Sequence, residues 1–234
     1  MFYYYGAKNQ LARHYPPPRF STIIEPFAGS AAYSCYHLLR NPKLNALLIE
    51  KDWVVAKLWN RLLWNITPKE IENYPVPKVG EHTSDFLIMT CAASNAVAKC
   101  ISLKYTKRVE RVFGFQKRRL LKLLPIRDRI NIICDSYETT PDIRATWFID
   151  PPYFITSGVN KNTVFANGNG YRPGCDSNSI DYKQLSKWCQ SRVGQVIVCE
   201  KEGAAWLPFR PLKTNKTSLN KIYKEVVWYG KEKD

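Results

Sequence analysis

Asp150-Pro151-Pro152-Tyr153 sets an acid, two stiff carbonyl-bearing residues and an aromatic ring side by side, at the end of the apolar run Trp147-Phe148-Ile149. Neither proline can donate to a sheet ladder or comfortably begin a helix here, so a strand must stop at Asp150. The four residues then sit at a strand's C-terminal edge, where open α/β sheets bind ligands. The group suits a flat molecule with an exocyclic amine. Asp150 and a proline carbonyl would accept its hydrogens, and Tyr153 would cover its face.

Other residues sit at spacings that could serve the same edge. Glu25-Pro26-Phe27-Ala28-Gly29-Ser30-Ala31 forms the first strand-to-helix turn. It does not match G-x-G-x-x-G, which argues against a dinucleotide with its pyrophosphate. A single glycine, Gly29, suffices where a smaller group approaches the backbone, such as the methionine part of S-adenosylmethionine. Glu50 ends a second strand 21 residues later, where doubly wound folds place an acid for ribose hydroxyls. Glu50 or Asp52 could equally start the next helix, since acids favour its positive dipole end. Asp135, ending a third strand, could take the amine of an adenine or be an ordinary turn residue.

The elements that must position these residues follow from periodicity. Strands are expected at 21–25, 44–50, 130–135, 146–150, 195–199 and 225–229, and helices from Gly29 to Asn41, Trp53 to Asn65 and Tyr182 to Gln190. Residues 84–124 read as mostly helical. Pro68, Pro75, Pro77 and Gly80 mark a departure from the core. Gly158, Asn160, Asn162, Asn167, Gly168, Asn169, Gly170 and Gly174 make a long loop, a candidate lid. Strands alternating with helices predict an α/β fold with a doubly wound, mostly parallel sheet and helices on both faces.

Composition narrows the class. With 234 residues, 45% of them apolar, the chain can bury a core of its own. No apolar run approaches the roughly 20 residues that span a bilayer, so no membrane partner is expected. The N-terminal residues lack the pattern of a signal peptide. Seven cysteines without a C-x-x-C, and three scattered histidines, predict a reduced, cytoplasmic protein with no metal site. No oligomerisation heptad is present, so a monomer is expected. Trp53, Trp59, Trp64, Trp188, Trp206 and Trp228 are expected in the core.

The formal charge of +15 is local. Residues 99–129 carry eleven lysines and arginines against Glu110 and Asp128, a net +9. Such density predicts a surface facing a polyanion, with nucleic acid favoured over a solvated helix face. Lys104, Lys107, Arg108, Arg111, Lys117, Arg118 and Arg119 are the candidate DNA contacts.

Taken together, these motifs resemble the N6-adenine DNA methyltransferases of the Dam-like class, over nearly the whole chain and in that class's motif order. Tyr4-Tyr5-Gly6-Ala7-Lys8 resembles the aromatic-x-G-G-K segment, with Ala7 for the second glycine. Residues 25–30 resemble E-P-F-x-G, Glu50 the ribose-binding acid, Cys134-Asp135 the acid-bearing third-strand motif, and residues 150–153 the catalytic D-P-P-Y. Ala31 stands where the family commonly has glycine, which would crowd the methionine pocket. The family's target-reading R-x-N-rich hairpin is not found.

The resemblance implies a Rossmann-like methyltransferase sheet formed by residues 1–67 and 130–234, with 68–129 as a helical target-recognition insertion. It implies that Tyr4, Lys8, Pro26, Phe27, Gly29, Glu50, Asp135 and Asp150 line the S-adenosylmethionine site. Asp150, Pro151, Pro152 and Tyr153 would then act on the N6 amine of an adenine flipped out of double-stranded DNA. Cytosine N4 as acceptor, or a catalytically silent DNA-binding relative, stay open as alternatives.

Overall fold

The structure is a computed structural model that describes residues 2, 4, 6–90, 102–154, 171–216 and 222–231. A single-turn 3-10 helix (Ala12–His14) leads into β1 (Thr22–Glu25), α1 (Ala32–Leu38), β2 (Asn45–Ile49) and α2 (Trp53–Trp64). Then follow α3 (Pro68–Glu72), β3 (His82–Thr83), α4 (Phe86–Met89), β4 (Leu103–Lys104) and α5 (Lys107–Leu123). The chain continues through β5 (Ile130–Ile133), β6 (Ala145–Ile149), α6 (Tyr182–Ser191), β7 (Gly194–Lys201), β8 (Arg210–Lys216) and β9 (Ile222–Tyr229).

Among the described residues seven strands form one sheet, in the order β5-β2-β1-β6-β7-β9-β8. Pairing is parallel from β5 across to β7, and β9 runs antiparallel to both β7 and β8. The expected α/β architecture with a mostly parallel sheet is therefore present. Alternate residues point to opposite faces, as the period of a strand requires. Ile23, Leu48, Phe148 and Ile197 join one core cluster with residues of α1 and α2. Ile24, Ile49, Trp147 and Val198 join another with Leu185 and Cys189 of α6. Helices thus cover both faces.

Local chemistry sets the helix starts. Asp52 accepts from the Val54 amide, Thr106 from Val109, and Asp181 from Lys183 and Gln184. Thr67 and Glu70 form a reciprocal capping box, with Pro68 in the first turn. Helix α1 has no such cap. Its Ser34 amide donates instead to the Glu25 carboxylate at 2.7 Å, tying the end of β1 to the helix start.

Among the described residues, 84–124 are mostly helical, as expected: α4 is four residues long and α5 seventeen, and between them β4 pairs antiparallel with β3. Tyr74, Tyr105 and Phe113 of residues 68–129 pack into the same cluster as Leu48 and Phe148. Strand β8 was not anticipated. Its sequence is polar, with Pro211 beside an irregular register, as suits an exposed sheet edge. Among the described residues no helix is long and apolar enough to cross a membrane.

Candidate active site

The strand order reverses between β1 and β6, and there the loops leaving β1, β2 and β6 diverge around a cavity of about 1050 Å³, open solvent at its mouth included. Such a switch point is where open α/β sheets bind ligands. Tyr4, Lys8, Pro26, Phe27, Gly29, Glu50, Asp150 and Pro152 all line it. Eight of the expected site residues, from four separate stretches of chain, are brought together.

The first turn is shaped by backbone constraints. Gly29 has φ +47°, and a Cβ there would lie 2.8 Å from the Tyr4 ring. The Trp59 indole donates to its carbonyl, and its own amide donates to Glu50, both at 2.8 Å. Gly29→Ala should therefore cost about 1–2 kcal/mol through the left-handed backbone alone. It should also displace Tyr4 from the cavity wall. Urea denaturation would register the first loss, and ligand titration of the cavity the second. Ala31 also has a left-handed backbone, at φ +46°. Ala31 thus strains the main chain as well as lining the cavity.

Glu50 and Asp52 divide the roles left open by the sequence. Asp52 caps α2 and pairs with the Arg172 guanidinium at 3.1 Å. Glu50 lines the cavity while accepting the Gly29 and Asp52 amides. Asp135 is not brought in. Strand β5 ends at Ile133, so Asp135 falls on an exposed turn, where its carboxylate accepts its neighbour's amide at 2.7 Å. Ser136, Tyr137 and Glu138 line the cavity instead, with Tyr137 stacked on Phe27 at 5.3 Å.

Around Asp150 the arrangement is ionic. Lys8 is 4% exposed, and its ammonium lies 2.8 Å from Asp150 Oδ1 and 3.6 Å from Glu225 Oε1. It also sits 4.6 Å above the centre of the Tyr153 ring. Burial alone would lower the lysine, but Asp150 and Glu225 more than offset it and hold it raised. Lys8 is thus a counter-ion of Asp150 as well as a wall of the cavity. Burial pushes the Asp150 carboxyl up to about 6, against the pull of Lys8. The Asp150 side chain keeps 18% exposure, enough to meet a ligand. Pro151 is buried and the Pro152 carbonyl accepts the Tyr182 hydroxyl. Tyr153 does not line the cavity; its hydroxyl donates to Glu225 at 2.8 Å.

The cavity is acidic although the chain is strongly basic. Glu25, Glu50, Glu138, Asp150 and Asp181 line it against Lys8 and Lys51. Burial drives Glu25 up to about 8 and Glu50 to about 7, so an entering cation would help to hold them ionised. Among the described residues no group of His, Cys, Asp and Glu is arranged to hold a metal ion. No family model and no curated protein matches the chain.

The basic cluster resolves into two parts. Arg108, Arg111, Arg118, Arg119 and Lys122 are exposed on α5, opposite the buried Val109, Phe113, Gln116, Leu120 and Leu123. At 1.5 Å per residue that stripe is roughly 21 Å long. Phe115 stands within it, 52% exposed, with the Arg118 guanidinium 4.7 Å from its ring centre. Lys104 and Lys107 are also exposed, just ahead of the stripe. Lys117 is half-buried and donates to the Glu72 carbonyl. Arg127 and Arg129 serve the fold: Arg129 donates to the Leu38, Asn41 and Leu44 carbonyls behind α1.

Trp53 and Trp64 are not core residues. They are 55% and 56% exposed, whereas Trp59 between them is buried. Lys99, Cys91, Cys100, Tyr5 and the candidate lid from Gly158 to Gly170 lie outside the described residues.

Proposed function

We propose that the chain transfers a methyl group from S-adenosylmethionine to the N6 amine of an adenine flipped out of double-stranded DNA. The observation that carries this reading is the acid-rich cavity at the sheet's switch point, with the partly exposed Asp150 of D-P-P-Y on its wall. A cavity lined by five acids in a chain of charge +15 favours a cation over a pyrophosphate. The donor set therefore fits a sulfonium compound: Tyr4, Phe27 and Tyr137 offer aromatic faces, Gly29 a close backbone, and Glu50 a carboxylate for ribose hydroxyls. When bound, S-adenosylmethionine would supply an electrophilic methyl group and depart as S-adenosylhomocysteine, the methylated amine giving up one proton.

The chain's own residues act on the acceptor. An adenine amine is a weak nucleophile because its lone pair is delocalised into the ring. Asp150 Oδ1 is engaged by Lys8, which leaves Oδ2 to accept one amine hydrogen. A proline carbonyl accepts the other: Pro152 lines the cavity and its carbonyl, already accepting the Tyr182 hydroxyl, keeps a second lone pair, whereas Pro151 is buried outside the lining. Both contacts favour a tetrahedral nitrogen with its lone pair free. Orientation of this kind supplies much of the acceleration, and fixed charge at the amine adds to it.

The stripe on α5 faces the phosphates, and base flipping exposes the amine at a cost of about a few kcal/mol. Exchanging Arg108, Arg111 and Arg118 for glutamine should lower DNA affinity and flatten its salt dependence. The slope of log K against log salt should fall by roughly 2–3. Fluorescence anisotropy from low to moderate salt checks this, and an unchanged slope would remove the stripe from the DNA interface.

The reading itself is tested by incubating the protein with tritiated methyl donor and unmethylated duplex, then separating the nucleosides. Label in N6-methyl-2′-deoxyadenosine is expected. Label in N4-methyl-2′-deoxycytidine would shift the acceptor to N4, and DNA binding without any transfer would leave a silent binding protein.

A further inference from the structure

Glu225 lies on β9, 75 residues beyond Asp150, and is fully buried. Its Oε1 accepts hydrogen bonds from the Tyr15 and Tyr153 hydroxyls, both at 2.8 Å, and lies 3.6 Å from the Lys8 ammonium. Its Oε2 is buried and has no hydrogen-bond partner among the described residues. Its neighbours Val226 and Val227 are buried and apolar. A buried carboxyl with one oxygen unsatisfied costs about 1–3 kcal/mol or more, and an apolar residue of similar volume is often no less stable at such a site. Stability therefore does not account for an acid here.

We infer that Glu225 is a positioning residue for the transfer reaction, holding the Tyr153 phenol and the Lys8 ammonium and through them setting the charge and placement of Asp150. This rests on the proposed methyltransferase reading and extends it to a residue that never touches the cavity. Lys8 lies between two acids, so its pull on Asp150 is opposed there by the negative charge of Glu225. The titratable groups packed around the pair are Tyr15 before β1, Glu25 on β1, Tyr153 after β6, and Cys199 and Glu200 on β7. Apart from Lys8 they are acids, phenols and a thiol. Burial and the negative charge of Glu225 both raise the Asp150 carboxyl, while Lys8 lowers it.

Glu225→Gln separates charge from shape. The amide oxygen still accepts the two phenols, but the negative charge is gone and Lys8 is left to Asp150 alone. Losing a negative neighbour lowers the Asp150 carboxyl, so the acid limb of kcat should move to lower pH by roughly one unit. At the plateau kcat should fall ~10–100-fold through misplacement of Asp150, with donor affinity unchanged. A purely structural role would lower the melting temperature without moving the pH profile, and that result would overturn the inference. Should the variant fail to fold, Tyr153→Phe deletes one of the same hydrogen bonds from the other side. It should lower kcat while leaving donor binding intact, and full kcat in Tyr153→Phe would likewise overturn the inference. Wild-type protein assayed alongside distinguishes the two levels: no transfer by the wild type overturns both readings, whereas an active wild type with an unaltered Glu225→Gln overturns this one alone.

Discussion

Asp150→Asn should lower kcat for methyl transfer ~10²–10³-fold, the range seen when one preorganised charge contact is lost at a reacting centre. The substitution keeps the side chain's shape and one acceptor oxygen but removes the negative charge proposed to face the amine. Lys8 retains Glu225 at 3.6 Å, so the ammonium is not stranded and the fold should survive. The pH profile gives the sharper signature. With its carboxyl raised to about 6, Asp150 is ionised above that pH and protonated below it. Wild-type activity should therefore fall as pH drops through about 6, and this limb should vanish in Asp150→Asn. Steady-state kinetics between pH 5 and 8.5 would show it.

Lys8→Met should do more damage to the protein than to any single step. Lys8 is 4% exposed, and removing its ammonium leaves Asp150 and Glu225 facing one another without a cation. Breaking a buried pair from one side typically costs about 3–5 kcal/mol. The residual activity should carry a displaced acid limb. Without Lys8 nothing offsets burial and the charge of Glu225, so the Asp150 carboxyl rises further and the limb moves to higher pH. Glu225→Gln is expected to move it in the opposite direction. Denaturation midpoints and pH profiles of the two variants, measured together, would show whether Lys8 and Glu225 oppose each other at Asp150.

What was legible in the sequence was mainly what short-range pattern determines. The apolar runs ending at Glu25, Ile49 and Ile149 are strands of the sheet, and the breaks that close them create the loops lining the cavity. Glu50 stands out because its distance from Gly29 spans one helix and the strand that follows it. Other features escaped because their causes are long-range or fall on boundaries. Strand β5 ends two residues before Asp135, enough to turn that carboxylate outward. Glu225 reads as a polar residue on a strand until β9 inserts beside β7 and brings it to Lys8, 217 residues away in sequence.

The basic segment shows both limits. Its helical arginine stripe could be counted from the sequence, yet charge alone does not separate Arg118, exposed, from Arg129, which satisfies three carbonyls behind α1. The two-residue strands β3 and β4 are too short to show any periodicity. Trp53 and Trp64 lie eleven residues apart and so share one helix face, while Trp59 lies well round the helix from both. Hydrophobicity summed by residue type misses that division.

The most direct measurement is a crystal structure of the protein with a non-reactive sulfonium donor analogue and a short duplex. The donor should occupy the cavity between Phe27, Gly29 and Glu50, and an extruded adenine should place N6 within hydrogen-bonding distance of Asp150. A donor seated elsewhere, or an Asp150 carboxylate that meets only Lys8 while the bases stay stacked, would contradict the account.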